Sequence, residues 1–166
     1  MGGPLTSTYL ITFACYGTHL PGTPGTADRH HHLYEGPYPK ESLSRETGAK
    51  RLMKHPPYAL DEAKRKVVFE AIQVVCRWRE WNLLALHVRS NHVHTVVDAD
   101  RSPEQVMNAL KCYASRALNL QEPSQPRWAR HGSTRYLWNP DQVSAAVGYV
   151  VSGQGEDMAV YEQHSR

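Results

Sequence analysis

Ser90-Asn91-His92-Val93-His94-Thr95-Val96-Val97-Asp98 places two histidines either side of one apolar residue, in a run rich in β-branched side chains. Such a run reads as a strand, and alternate strand residues leave the sheet on the same face. His92 and His94 therefore stand side by side. Two neutral imidazoles on a rigid strand make half of a divalent-metal site. The same spacing also arises by chance in a chain with ten histidines, so the surrounding sequence has to decide. No third alternating histidine follows the pair. The clustered His30, His31 and His32, among Thr26, Asp28, Gly36 and Pro37, read as solvated loop.

Working outward, Trp81 to Val88 reads as a second strand, and Arg89-Ser90-Asn91 makes the turn of a hairpin with the histidine strand. Upstream, Val67, Val68, Ala71, Val74, Val75 and Trp78 mark one face of a helix from about Asp61 to Glu80. Downstream, Ser102-Pro103-Glu104-Gln105 is a helix start, with an N-cap serine, a proline at the first position and a capping-box glutamine; that helix runs to about Asn119. Thr8 to Cys15 forms a first strand, and Thr134 to Leu137 a short later one. Asn139-Pro140-Asp141-Gln142 repeats the capping pattern and opens a last helix that Gly153 ends. Strand, helix, strand, strand, helix, strand, helix suits an α+β, ferredoxin-like plan (split βαβ, RRM-like). We expect a four-stranded antiparallel sheet with two helices on one face, plus a C-terminal helix. Gly17 to Pro57 is rich in Gly, Pro and His and reads as a long irregular insertion.

The chain has 166 residues, one domain's worth, enough to bury a core without disulfides. No apolar run approaches the ~20 residues needed to span a bilayer. Met1-Gly2-Gly3-Pro4 carries no secretion signal, so a cytoplasmic protein without a membrane partner is expected. Cys15, Cys76 and Cys112 are odd in number and widely spaced, which argues against a disulfide framework. Net charge is +3, but Arg101 to Pro140 holds six Lys or Arg against Glu104 and Glu122, so a polyanion is a plausible partner.

Two helices carry tyrosines that can work beside a metal. Tyr113 falls on the apolar stripe of Val106, Leu110 and Ala117 and reads as a core aromatic. On the last helix Val143, Val147, Val150 and Val151 form the stripe. Tyr149 lies roughly 120° from its centre, away from the core. Ala145, Ala146 and Gly153 leave room around its phenol, and Gln154 supplies an amide oxygen near the helix end.

These residues together resemble the single-tyrosine transposases of the HUH class, especially the REP-associated tyrosine transposases and their insertion-sequence relatives. Tyr9-Leu10-Ile11-Thr12-Phe13 with Tyr16-Gly17-Thr18 is similar to the family's opening strand, and Arg89 to His94 to its histidine signature. Lys111 to Asn119 is similar to its middle helix, and Arg130 to Trp138 to the basic strand before the last helix. The resemblance covers most of the chain.

The resemblance implies that Tyr149 is the nucleophile and that His92 and His94 are ligands of Mg²⁺ or Mn²⁺. It also implies a third ligand four residues after the tyrosine. That position is Gly153, and the polar candidate Gln154 comes one later, so Gln154 serves only if the helix loosens at Gly153. The implied reaction is cleavage and rejoining of single-stranded or hairpin DNA through a 5′-phosphotyrosine intermediate. Lys111, Arg116, Arg127, Arg130 and Arg135 are candidate phosphate contacts. Trp128 or Trp138 can stack on a base, although core packing is the better reading of Trp138. One tyrosine cleaves one strand per site, so cutting two ends takes a homodimer or two rounds. The competing readings are a domesticated hairpin-binding protein with an impaired site and a phosphoesterase that uses water.

Overall fold

The computed structural model describes residues 5–18, 20 and 42–164. Five strands form one antiparallel sheet: β1 (Ser7–Cys15), β2 (Asn82–Val88), β3 (His92–Ala99), β4 (Trp128–Leu137) and β5 (Ala159–Glu162). The helices are α1 (Leu43–Leu52), α2 (Glu62–Trp78), α3 (Pro103–Leu118) and α4 (Pro140–Ser152). Strand order is β4-β1-β3-β2-β5, which puts the histidine strand in the middle. The α+β class and the hairpin of β2 and β3 are as the sequence implies.

Each face of the sheet has its own apolar cluster. Tyr9, Ile11, Phe13 and Cys15 of β1 and Val93 and Val97 of β3 bury against α2 and α3. The intervening residues point the other way, as the two-residue strand period requires. There Val96, Ala85 and Leu137 meet Ala146 and Val150 of α4. His92 and His94 share the parity of Val96, so they lie on the α4 face. The helix carrying Tyr149 thus crosses the sheet over the histidine pair.

Several elements depart from the sequence reading. The buried stripe of α2 is Val68, Ile72, Val75 and Cys76. Val74 and Trp78, read as part of that face, are exposed, because the stripe is rotated toward Ile72. Within the stretch read as irregular, α1 is a true helix. Its Ser42 side chain caps Arg45 N and Lys50 pairs with Glu46 at 2.5 Å, yet it buries no residue, so hydrophobic periodicity gives no sign of it. The rest of that stretch, including His30, His31 and His32, lies outside the described residues. The strand read at Thr134–Leu137 begins at Trp128. The four-residue β5 pairs with β2 and makes the sheet five-stranded; Ala-Val-Tyr-Glu is too short to announce itself as a strand. Cys15 and Cys76 are buried, whereas Cys112 is exposed. Among the described residues no helix is long and apolar enough to cross a membrane.

Candidate active site at the histidine strand

His94 faces Thr12 across the β1–β3 ladder, and its Nδ1 lies 2.8 Å from Thr12 Oγ1. The side chain is 5% exposed, and its Nε2 is buried without a hydrogen-bond partner. An orphaned buried nitrogen costs on the order of 1–3 kcal/mol, so such a lone pair calls for a ligand. Burial, followed by the nearby His92 and His87 rings, pushes the His94 pKa down to about 3. The imidazole is therefore neutral at physiological pH, the form a metal ligand needs.

His92 stands edge-on to His94, with ring centroids 4.6 Å apart at 83°. Asn91 Oδ1 accepts from its Nδ1 at 2.6 Å, which leaves the ring's lone pair on Nε2. Tyr149, 47% exposed, presents its ring edge-to-face to His94 at 5.6 Å.

The end of α4 brings the fourth residue in. The helix stops at Ser152, and Gly153 N donates to Tyr149 O at 3.0 Å. A Cβ on Gly153 would lie 2.7 Å from that same carbonyl oxygen, so the tight exit demands glycine. The chain beyond it turns back. Gln154 Nε2 donates to Tyr149 O at 3.2 Å, and the Gln154 side chain opposes the downward shift of the His94 pKa. His92, His94, Tyr149 and Gln154 are thus brought together. Gly153, at φ −86° and ψ 1°, ends the helix, and the Gln154 side chain folds back on its last turn.

Sequence reasoning passed over His87. This buried residue pairs with His94 in the β2–β3 ladder. Its Nδ1 donates to Val150 O at 3.0 Å, satisfying a carbonyl in the last turn of α4, and its Nε2 accepts from Met158 N at 3.3 Å. It ties the tyrosine helix to the sheet and to the approach of β5. Its place inside an apolar strand made it indistinguishable from a satisfied core histidine, and only the tertiary fold reveals the partner.

The chemistry of the donor set, two imidazoles and a carboxamide, fits a divalent cation, and the orphaned Nε2 of His94 gives it a place to bind. Among the described residues no cluster of three His, Cys, Asp or Glu exists. The family profile of IS200-like transposases matches residues 54–154, which contain every one of these site residues. The chain belongs to the IS200-like transposase family. Among solved structures, a REP-associated tyrosine transposase bound to a REP hairpin is similar in fold, with 14% identity and a TM-score of 0.50 over 90% of this chain and 68% of that one. A provisionally assigned transposase from Deinococcus radiodurans R1 is 13% identical at a TM-score of 0.46, over 87% of this chain and 89% of that one. No curated protein matches the sequence.

For a protein of this family the basic residues divide sharply. Arg130 and Arg135 are exposed on the edge strand β4. Arg116 is exposed on α3, across the sheet from Tyr149, with its guanidinium over the Tyr113 ring at 5.4 Å. Lys111 and Arg127, read as phosphate contacts, are instead structural. Lys111 is 9% exposed and donates to Ala129 O at 3.0 Å. Arg127 is 2% exposed and donates to Glu122 at 3.2 Å, Asn119 Oδ1 at 2.6 Å and Pro123 O at 3.2 Å. Arg127→Ala is expected to destabilise the fold by about 3 kcal/mol, the lower end for a broken buried pair, because Glu122 keeps Lys64 at 3.2 Å. Urea unfolding checks this; a loss below about 0.5 kcal/mol would contradict it.

Of the two tryptophans, Trp138 departs from expectation. Trp128 packs edge-to-face on Phe13 at 5.0 Å, and its Nε1 donates to Ser115 and to Lys111 O. Trp138 is 75% exposed and stacks on Tyr136 at 4.9 Å, with ring planes 7° apart. The strand parity that buries Leu137 turns both neighbours outward.

Proposed function

We propose that this chain is a divalent-metal-dependent transposase that cleaves and rejoins single-stranded or hairpin DNA through Tyr149. The observation that carries this reading is the convergence of a solvent-accessible phenol with the His92–His94 pair and Gln154 at one end of the sheet. His92, His94 and Gln154 would hold the cation, Mg²⁺ or Mn²⁺. When bound, it supplies positive charge at the non-bridging oxygens of the scissile phosphate.

The residues of the chain do the rest. Tyr149, deprotonated, attacks phosphorus through its phenolic oxygen. The P–O3′ bond breaks and O3′ leaves, taking up a proton as a free 3′-hydroxyl, while the 5′-phosphate stays on Tyr149. Attack by a 3′-hydroxyl on that phosphotyrosine reverses the bond exchange and reseals a strand without ATP. His87 keeps α4 seated on the sheet, so the phenol stays beside His94. The similar structure bound to a REP hairpin supports a hairpin substrate here, and Arg130 and Arg135 suit its phosphates.

Incubating the protein with labelled hairpin DNA and Mn²⁺ tests the reading. A covalent adduct on a denaturing gel is expected. Binding without any adduct would favour a domesticated hairpin binder. Cleavage with no protein attached would favour a phosphoesterase that uses water.

The exposed Tyr136–Trp138 pair offers a stacking surface for an unpaired base. Stacking on an aromatic side chain contributes about 1–3 kcal/mol per base. Trp138→Ala is therefore expected to weaken hairpin binding by roughly tenfold with little change in thermal stability. An unchanged Kd in a fluorescence titration would remove the pair from the DNA path.

A further inference from the structure

Polar side chains stand in one row across the sheet on its α4 face: the ladders pair Ser133 with Thr12, Thr12 with His94, and His94 with His87. Side chains paired directly across two strands are close enough to interact. His87 takes no part in orienting the His94 ring, because its own nitrogens are engaged by Val150 O and Met158 N. On the other side Thr12 holds its Oγ1 2.8 Å from His94 Nδ1.

A neutral imidazole carries one proton, and the nitrogen that holds it decides whether the ring can serve a cation. With the proton on Nδ1 and donated to Thr12 Oγ1, the lone pair lies on Nε2, the buried nitrogen that has no hydrogen-bond partner. With the proton on Nε2, the threonine hydroxyl donates to Nδ1 instead, and a buried N–H is left without an acceptor. The choice lies with the threonine hydroxyl hydrogen. Thr12 is half-buried and lines a cleft of about 600 Å³ that Tyr149 also borders, so that hydrogen can turn to solvent while the oxygen accepts.

We propose that Thr12 is a positioning residue for His94: its oxygen accepts from Nδ1–H and so holds the ring in the tautomer and orientation that present the Nε2 lone pair to the cation. The inference rests on the proposed function and deepens it. The second nitrogen of a ligand histidine is ordinarily held by such an outer partner, whose loss weakens metal binding by about 10–100-fold. Threonine suits the task because its two branches at Cβ restrict χ1. Its strand is paired on both sides, with β3 and with β4. A Cβ on Gly132 of β4 would lie 2.6 Å from Thr12 O, so the two strands approach closely there. The hydroxyl is thus set in the interior of the sheet, where position is more precise than on a loop.

The test compares Thr12→Val, which keeps the branched shape and removes the hydroxyl, with Thr12→Ser, which keeps the hydroxyl. Mn²⁺ affinity is read by titration calorimetry without DNA, and the His94 tautomer by ¹⁵N NMR of the metal-free chain at neutral pH. In the wild-type chain the proton is expected on Nδ1. Thr12→Val should weaken Mn²⁺ binding by about tenfold and leave the metal-free ring without a fixed tautomer. Thr12→Ser should keep the wild-type affinity and tautomer. A wild-type ring protonated on Nε2 overturns the proposal, and this reading decides alone if Thr12→Val does not fold. Affinity unchanged in Thr12→Val also overturns it, as does an equal loss in Thr12→Ser, which assigns the effect to packing of the methyl group. A wild-type chain that takes up no Mn²⁺ overturns the metal-dependent reading of function and leaves Thr12 to the NMR comparison: an Nδ1 proton lost in Thr12→Val upholds its hold on the ring, and the same tautomer in both chains overturns it.

Discussion

Tyr149→Phe is expected to abolish the protein–DNA adduct, by 10³-fold or more in rate, while hairpin affinity stays within about twofold. The size follows from removing the attacking atom of a covalent mechanism, which leaves only positioning and charge to act on the phosphate. The change deletes a single oxygen. Phenylalanine keeps the edge-to-face contact with the His94 ring at 5.6 Å, and at 47% exposure the position carries little of the core. Unfolding should therefore shift by less than about 0.5 kcal/mol, as for an ordinary surface change. Tyr113→Phe is the matched comparison. Tyr113 lies on α3 against the other sheet face, near Trp78 at 6.1 Å, and its variant should form adduct at the wild-type rate. If Tyr149→Phe retained adduct and Tyr113→Phe lost it, the nucleophile would have been misassigned and the α4 face would have to be read as binding alone.

The histidine strand, the hairpin before it and both capped helices were legible in the sequence because each is fixed by local chemistry: two-residue alternation, a Ser-Pro-Glu-Gln start and an Asn-Pro start. The capping box at Ser102 and Gln105 is present in full. At α4 the same grammar reads differently in space. Gln142 N donates to Asn139 Oδ1, but its Oε1 accepts from Trp138 N, one residue further out. What the sequence could not disclose depends on how the chain packs in three dimensions. Arg127 is basic and lies in a basic segment, yet three acceptors within eight residues bury it. Trp138 is a large aromatic beside a buried leucine, and only the edge position of β4 shows that it faces out. His87 looked like any apolar-strand residue until α4 supplied the Val150 carbonyl. The position of Gln154 depends on how the chain leaves α4 at Gly153, where its amide returns to the Tyr149 carbonyl.

His94→Gln should lose metal binding and change how the fold responds to acid, and the two effects have separate physical origins. In the wild-type chain Mn²⁺ at about a hundred times its Kd should raise stability by about 2.7 kcal/mol, through binding to the folded state alone. That increment should vanish in the variant, and adduct formation should fall by about 10²-fold or more, as for lost charge stabilisation at a reacting phosphate. The second effect appears with the metal chelated. The folded His94 pKa is depressed to about 3, below the ~6.5 of an unfolded histidine, so the unfolded chain binds a proton that the folded chain refuses. The stability tied to the neutral ring is thus complete above ~6.5 and declines as pH falls toward 3, by up to about 1.4 kcal/mol per pH unit. Between pH 7 and pH 5 the wild-type chain should lose about 2 kcal/mol more than His94→Gln, measured by urea unfolding in EDTA. Equal losses would mean that His94 takes up a proton readily in the folded state. A site that protonates near neutrality would hold its cation poorly, so the same measurement bears on the metal-dependent reading of the histidine strand without any DNA being present.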